Sequence, residues 1–299
     1  MWNVRRKNCE NNNGGIPKSM KERLDVLLVN KGISESRDKA KRLIMAGKVF
    51  VDNDIADKPG TRYDEDQDIT VRGEQCPYVG RGGLKLEKAI NLFNLNLDGF
   101  YCVDMGASTG GFTDCMLKMK AKKVYAIDVG YGQLAYSLRI DDRVVNLEKT
   151  NIRYLDTSLI EDKIDLVSID VSFISTSHMF PIASEILKNG GIVICLIKPQ
   201  FEAGRDQVGK GGIVKDKEVH RDVIHKVISY AKSNDLYLRG LTFSPIKGAK
   251  GNIEYLAYFI KNKTYNEILI QDFENIVKSY EIEEAINKTI TVSHMELDR

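Results

Sequence analysis

A doubly wound α/β sheet preceded by a small α+β domain is the fold that this sequence predicts. From Phe100 onward, the apolar runs FYCVDMG, KKVYAIDVG, IDLVSID and GGIVICLIKP alternate with helical patterns, as parallel strands joined by helices do. The last two runs, LRGLTFSP and EYLAYFI, predict an antiparallel hairpin at one edge, joined by a short turn. Ahead of this region the order differs: two helical patterns, then two short strands.

The small domain is expected over residues 20–72, after an N-terminal extension, 1–19, whose NNNGGIP stretch reads as disordered; Met20 could be the natural start. Leu24, Leu27 and Leu28 give one apolar stripe, and Ala40, Leu43 and Ile44 give the next. Gly32 separates the two helices and Gly47 follows the second. KVFVDN and QDITVRG then read as strands, with KPGTR as a turn between them. Residues 73–83 (GEQCPYVGRGG) read as a linker to the large domain, expected over 84–263, and 264–299 as an acidic extension.

Charge is distributed unevenly along the chain. Net charge is only +2, yet residues 1–48 carry twelve Lys/Arg against five Asp/Glu, and 264–299 carry three against eight. A basic end on a nearly neutral chain implies an acidic partner. Arg23, Arg37, Lys41, Arg42 and Lys48 lie off the apolar stripes, as either a solvated face or a phosphate-contacting surface. Five cysteines without a Cys-x-x-Cys pair imply a reducing, cytoplasmic location and no structural metal. The longest apolar run, Ile192 to Ile197, falls far short of the about 20 residues a membrane span needs, so no membrane partner is expected.

The stretch VDMGASTGGFT, residues 103–113, places a glycine-rich turn between a strand and a helix. A triphosphate-binding loop would need Lys-Ser/Thr after its last glycine, where Phe112-Thr113 stands, and a dinucleotide fingerprint would need glycine at Ser108. Asp104 at the loop mouth would repel pyrophosphate but suits the ammonium of an amino-acid ligand, whose carboxylate the following amides could receive. S-adenosylmethionine carries both groups. Gly106, Ser108, Gly110, Gly111, Phe112 and Thr113 would then shape its cradle, and a plain tight turn is the alternative. Asp128, at the end of KKVYAID, is placed to accept ribose hydroxyls, a feature shared with nicotinamide enzymes. Asn151 is a candidate for adenine.

The acceptor is narrowed by what the next strands lack. Asp170-Val171-Ser172-Phe173 has no Pro-Pro-aromatic grip for an exocyclic amine, and Cys195 lies inside an apolar run rather than as a nucleophile. Asp170 and Lys198 end successive strands, so both project at the carboxyl edge where such sheets bind ligands. A hydroxyl acceptor needs its proton removed or polarised, which a positioned lysine can do; a structural ion pair is the alternative.

Two resemblances carry this further. ERLDVLLVNKGISESRDKAKRLIMAGKVFVDN resembles the S-four domain, a module that binds structured RNA, over Arg23 to about Val71. GRGGLKLEKAI, VDMGASTGGFT, IDVGYGQL, EKTNIR, IDVSFIS, LIKPQFEAGR and SPIKGAKGNIEYL resemble the TlyA family, in order from about Met20 to Lys261. That family, named both as hemolysins and as ribosomal RNA cytidine 2'-O-methyltransferases, joins an S-four domain to an FtsJ-like methyltransferase domain. The resemblance implies a Rossmann-like, S-adenosylmethionine-dependent methyltransferase sheet acting on large-subunit and in some members small-subunit ribosomal RNA. It carries a Lys-Asp-Lys-Glu tetrad over to Lys85, Asp170, Lys198 and Glu254, with Lys198 acting on the hydroxyl. Asp170, within the tetrad, also borders the cofactor. Arg205 and Lys210, in a glycine-bearing loop with Lys215, would face RNA as a lid or form an ordinary surface loop. A monomer is expected. A membrane-lytic protein and a non-catalytic assembly factor are the rival functions; no amphipathic apolar helix supports the first, and an intact tetrad argues against the second.

Overall fold

The structure is a computed structural model that describes residues 21–45, 47–52, 54–56, 58–71, 76–262 and 279–298; the extension 1–19 falls outside them. The chain divides into two compact units, Met1–Gln75 and Cys76–Arg299.

In the first unit β1 (Lys21–Arg23) leads directly into α1 (Leu24–Asn30), followed by α2 (Arg37–Met45). The strands β2 (Val49–Val51), β3 (Asp54–Ile55), β4 (Arg62–Asp64) and β5 (Ile69–Val71) complete it. β2 lies between β3 and β5, antiparallel to both, and β1 pairs separately with β4. The two apolar stripes meet as expected: Leu24, Leu27, Leu28, Ala40 and Ile44 are buried together with Val49, Val51 and Ile69. β1 escaped the sequence because Lys-Glu-Arg carries no apolar alternation; its backbone pairing with Arg62–Asp64 holds it instead.

The second unit opens with α3 (Gly82–Leu92), β6 (Tyr101–Met105), α4 (Gly111–Lys118), β7 (Lys123–Ile127), α5 (Tyr136–Arg139) and β8 (Val144–Leu147). It continues through β9 (Ile164–Ile169), α6 (Phe180–Ile186), β10 (Leu187–Ile197), α7 (Pro199–Glu202) and α8 (Lys217–Lys232). β11 (Leu236–Phe243), β12 (Tyr255–Lys261) and α9 (Ser279–Leu297) end it. The seven strands lie in the order β11-β12-β10-β9-β6-β7-β8. β6 to β10 run parallel, while β12 is antiparallel to both β10 and β11. This is the predicted sheet with its antiparallel edge. The connection between β11 and β12 is a folded loop spanning Ser244–Glu254, not the short turn expected from the sequence.

Both faces of the sheet are covered, which is why its strands read as continuous apolar runs. Alternation within each strand splits the core in two. Val103, Met105, Tyr125 and Ile127 pack with Phe180, Val223 and Ile224 on one side. Cys102, Val124 and Ala126 pack with Leu86, Ile90, Phe112 and Met116 on the other.

The ends of this unit differ from the sequence expectation. Of the expected linker, Cys76–Gly83 is packed against the second unit: Tyr78 is buried, and the Val79 amide donates to Asp114 at 2.8 Å. Of the acidic extension, α9 buries Ile286 and Ile290 against the sheet, beside Tyr255 and α8. Its apolar positions are diluted by Glu and Lys, which hides the buried stripe from composition.

Candidate active site

The parallel strands split their connections to either side between β6 and β9, so the crevice at their carboxyl ends is where a ligand is expected. The glycine-rich loop after β6 forms its floor. Gly106 has φ +91, and a Cβ there would lie 2.4 Å from the Asp170 carbonyl oxygen, so only glycine lets the loop pass under β9. Asp104 sits beneath the loop, not at its mouth. It is wholly buried and accepts hydrogen bonds from the Thr113 amide at 3.0 Å, the Thr113 hydroxyl at 2.7 Å and Ser168 at 2.9 Å. Burial raises its carboxyl to about 6 against the pull of those donors. Asp104 therefore braces the start of α4, and Thr113 is its partner rather than a wall of the crevice. Gly110 caps α4 at φ +93.

Two chambers of about 430 Å³ each meet at Gly106, Ser108 and Asp170. The first is lined by Asp128, Val129, Gln133, Asn151, Ile152 and Met179. A carboxylate beside apolar walls suits a nucleoside: Asp128 for ribose hydroxyls, Ile152 and Met179 for the flat base. Asp128 also holds the loop, accepting from the Ser108 amide at 2.8 Å and the Gly130 amide at 2.7 Å. Asn151 caps the short turn after it by accepting from the Arg153 amide at 3.1 Å. The second chamber is lined by Arg81, Lys85, Gly111, Phe112, Lys247 and Lys250 and is strongly cationic.

The four tetrad positions, drawn from α3, β9, β10 and the turn into β12, resolve into two ion pairs. Lys198 Nζ lies 2.6 Å from Asp170 Oδ1 and donates to the Ser172 hydroxyl at 3.0 Å. Lys85 Nζ lies 2.6 Å from Glu254 Oε2, both nearly excluded from solvent, and Gln200 donates to Glu254 Oε1 at 3.2 Å. Lys88, one turn beyond Lys85, instead lies over the Phe243 ring at 3.5 Å from its centre. At Gly248 a Cβ would lie 2.0 Å from the buried Glu254 carboxylate, so the loop's approach requires glycine.

These observations decide the family. The FtsJ-like methyltransferase model matches residues 78–261, and the S-four model matches 22–69. The chain belongs to the TlyA family of FtsJ-like methyltransferases.

A TlyA-family relative from Mycobacterium tuberculosis, named 16S/23S rRNA (cytidine-2'-O)-methyltransferase TlyA, is 40% identical over 85% of this chain and 95% of its own length. A Bacillus subtilis protein carrying an rRNA methyltransferase name is 50% identical over 80% of this chain and 86% of its own. A solved structure from Streptococcus thermophilus, carrying the hemolysin name, is 42% identical, covers 93% of this chain and 97% of its own, and has a TM-score of 0.70.

The TlyA fold thus gathers Lys85, Asp170, Lys198, Glu254, Gly106, Ser108, Gly111, Phe112, Asp128 and Asn151 around one crevice. Arg205 and Lys210 are exposed on the loop after α7. In the first unit two RNA candidates are otherwise engaged. Asp25 is completely buried, and Arg23 (Nε to Oδ1, 2.9 Å) and Arg37 (Nη2 to Oδ2, 3.0 Å) both bind it, holding its carboxyl near 2, chiefly through the Arg23 hydrogen bond. Lys41 reaches Asp38 at 3.4 Å, Lys48 is partly buried, and Arg42 is exposed. Phe173 was not singled out from sequence. It has φ +63, is 90% exposed and stands 4.8 Å from Phe201, ring centre to ring centre. A bulky residue held in the left-handed region directly after β9 carries a backbone strain that no periodicity reveals.

Proposed function

We propose that the chain is an S-adenosylmethionine-dependent 2'-O-methyltransferase of ribosomal RNA, acting on cytidine in the large-subunit rRNA. The observation that carries this is the pairing of Lys198 with Asp170 at the junction of a nucleoside-shaped chamber and a cationic one. When bound, S-adenosylmethionine supplies an electrophilic methyl group on sulfur.

Asp128, with Ile152, Met179 and Asn151, holds the cofactor's nucleoside in the first chamber. The second chamber receives the acceptor nucleotide, its phosphate drawn by Arg81. Lys198 engages the 2'-hydroxyl and, with Nζ in its neutral form, would accept the hydroxyl proton; the methyl would come from the sulfonium of the bound cofactor, whose sulfur would keep the S–C electron pair as a thioether. Asp170 and Ser172 fix Nζ in place, which is the part of catalysis that orientation supplies. Lys85, which lines the acceptor chamber, is tied to the buried Glu254 carboxylate, and this pair sets the shape and field of the acceptor wall. The S-four unit, whose charges balance overall, supplies affinity for structured RNA through exposed basic side chains such as Arg42, and the protein acts as a cytoplasmic monomer.

An rRNA carrying one 2'-deoxy nucleotide at the modified position tests this directly. It should bind normally and accept no methyl, while nucleosides from unaltered rRNA carry the methyl on the sugar by mass spectrometry. Methyl on the base, or transfer to the deoxy substrate, refutes the assignment. Relatives also carry the hemolysin name, but among the described residues no helix is long and apolar enough to cross a membrane.

A further inference from the structure

A third chamber, of about 380 Å³, adjoins the acceptor chamber and belongs to no part of the catalytic set. Lys247 and Lys250 line both, so the loop between β11 and β12 is their common wall. Lys215 joins them from the loop after α7, with Ile213, Val214 and Ile253 as apolar backing. Among the described residues, the carboxylate lining this chamber is that of Asp298, beyond the end of α9, which lies 2.9 Å from Lys247 Nζ and 2.9 Å from His294 Nδ1.

The lysines are held by a prearranged frame. Asn252 is buried; it donates to the Gly212 carbonyl at 2.9 Å and accepts from the Val214 amide at 3.0 Å, stitching the two loops together. Its own carbonyl accepts from the Gly248 amide at 2.8 Å. Lys250 sits in the left-handed region at φ +59, a conformation that costs a side-chain-bearing residue energy and persists only where surroundings impose it. Its Nζ is packed toward Gly212, where a Cβ would lie 3.4 Å away.

We propose that this chamber binds a backbone phosphate of the RNA strand next to the acceptor nucleotide, and that Asp298 holds Lys247 until that phosphate displaces it. The proposal rests on the RNA-methyltransferase function above and adds a named contact for the substrate strand. Ammonium groups are compact point charges that suit a phosphate oxygen. Among the described residues the chamber is lined by no Phe, Tyr or Trp, and its one ring, His294, is tied to Asp298 and His220, so the site would position the strand without reading its sequence. The second occupant of the site is therefore a phosphodiester, not a base.

The test measures binding of purified large-subunit rRNA to the full chain across a salt series, with S-adenosylmethionine binding by calorimetry as the control for an intact fold. Lys215→Gln and Lys250→Gln should each weaken RNA and lower the slope of log affinity against log salt by roughly 0.7–0.9. Lys250→Arg should restore both, and Asp298→Asn should raise affinity several-fold by freeing Lys247. Unchanged affinity and slope in the two glutamine variants, no rescue by arginine, or weaker binding by Asp298→Asn would overturn the phosphate site. If instead the wild-type chain transfers no methyl to ribose while these binding shifts persist, the catalytic function fails and the phosphate site stands.

Discussion

Lys85 Nζ and Glu254 Oε2 stand 2.6 Å apart across almost the whole length of the methyltransferase unit, and Glu254 is only 2% exposed. Removing one partner would strand a charge that water cannot reach. Lys85→Ala should therefore lower unfolding free energy by about 3–5 kcal/mol, whereas Lys85→Met with Glu254→Gln should lose much less. Urea denaturation of the three proteins checks this. Equal losses in the single and double variants would show that the pair contributes no burial penalty of its own.

Chemistry and cofactor binding should separate along the two chambers. Lys198→Ala and Asp170→Ala should each abolish methyl transfer while leaving S-adenosylmethionine affinity within a few fold, about 1 kcal/mol or less. Asp128→Ala should weaken the cofactor by roughly 1–3 kcal/mol, since it loses charged hydrogen bonds to ribose and slackens the loop held through Ser108 and Gly130. Calorimetry and single-turnover transfer read the two effects. Near-normal turnover by Lys198→Ala would remove it from the hydroxyl.

In the S-four unit the arginines should divide by role. Arg37→Ala withdraws one of two donors from buried Asp25 and should cost stability by about 1–3 kcal/mol. Arg42→Ala, on an exposed position, should leave thermal unfolding unchanged but lower the salt slope of rRNA binding by roughly 0.7–0.9. A flat slope change for Arg42→Ala would return that helix face to solvent.

Acid should loosen the methyltransferase unit through His220. Burial depresses its imidazole to about 4. The ring contacts the Tyr255 hydroxyl at 2.7 Å, the Val214 carbonyl at 3.1 Å and His294 at 3.2 Å, while Asp216 and Asp298 draw the proton weakly. An unfolded histidine titrates near 6.5, so the stability held by neutral His220 is complete above that pH and declines as pH falls toward 4. The decline approaches about 1.4 kcal/mol per pH unit within that window. His220→Gln should flatten the difference between stability at pH 7 and pH 4.5, measured by denaturant titration. An unchanged difference would place the acid sensitivity elsewhere.

Sheet and loop were legible because each leaves a local mark: buried parallel strands read as apolar runs, and Asp170 and Lys198 follow directly on β9 and β10, whereas Lys85 and Glu254 were reached only through the family resemblance. What stayed hidden depends on long-range contact. Nothing beside Asp104 in the chain announces that Thr113 and Ser168 will close over it, so a buried brace resembled a ligand contact. Arg23 and Arg37 look free in the sequence because their common partner, Asp25, appears there as an ordinary first-turn carboxylate of α1. Phe173 and the Lys247–Gly251 loop owe their placement to backbone conformations, at φ +63 and +59, that side-chain pattern does not encode.

The reversed direction of β12 has a consequence for how the protein is made. Because that strand runs against β10, its first residues, not its last, reach the catalytic edge, and Glu254 enters beside Lys85 only after some 170 intervening residues have been synthesised. During translation the N-terminal S-four segment leaves the ribosome first and can fold as a unit. Lys85 waits without its carboxylate until the final strand arrives. A chain cut short before Glu254 would lack the strand that pairs with both β10 and β11 and the buried Tyr255, Ala257 and Phe259, and would leave Lys85 without its carboxylate.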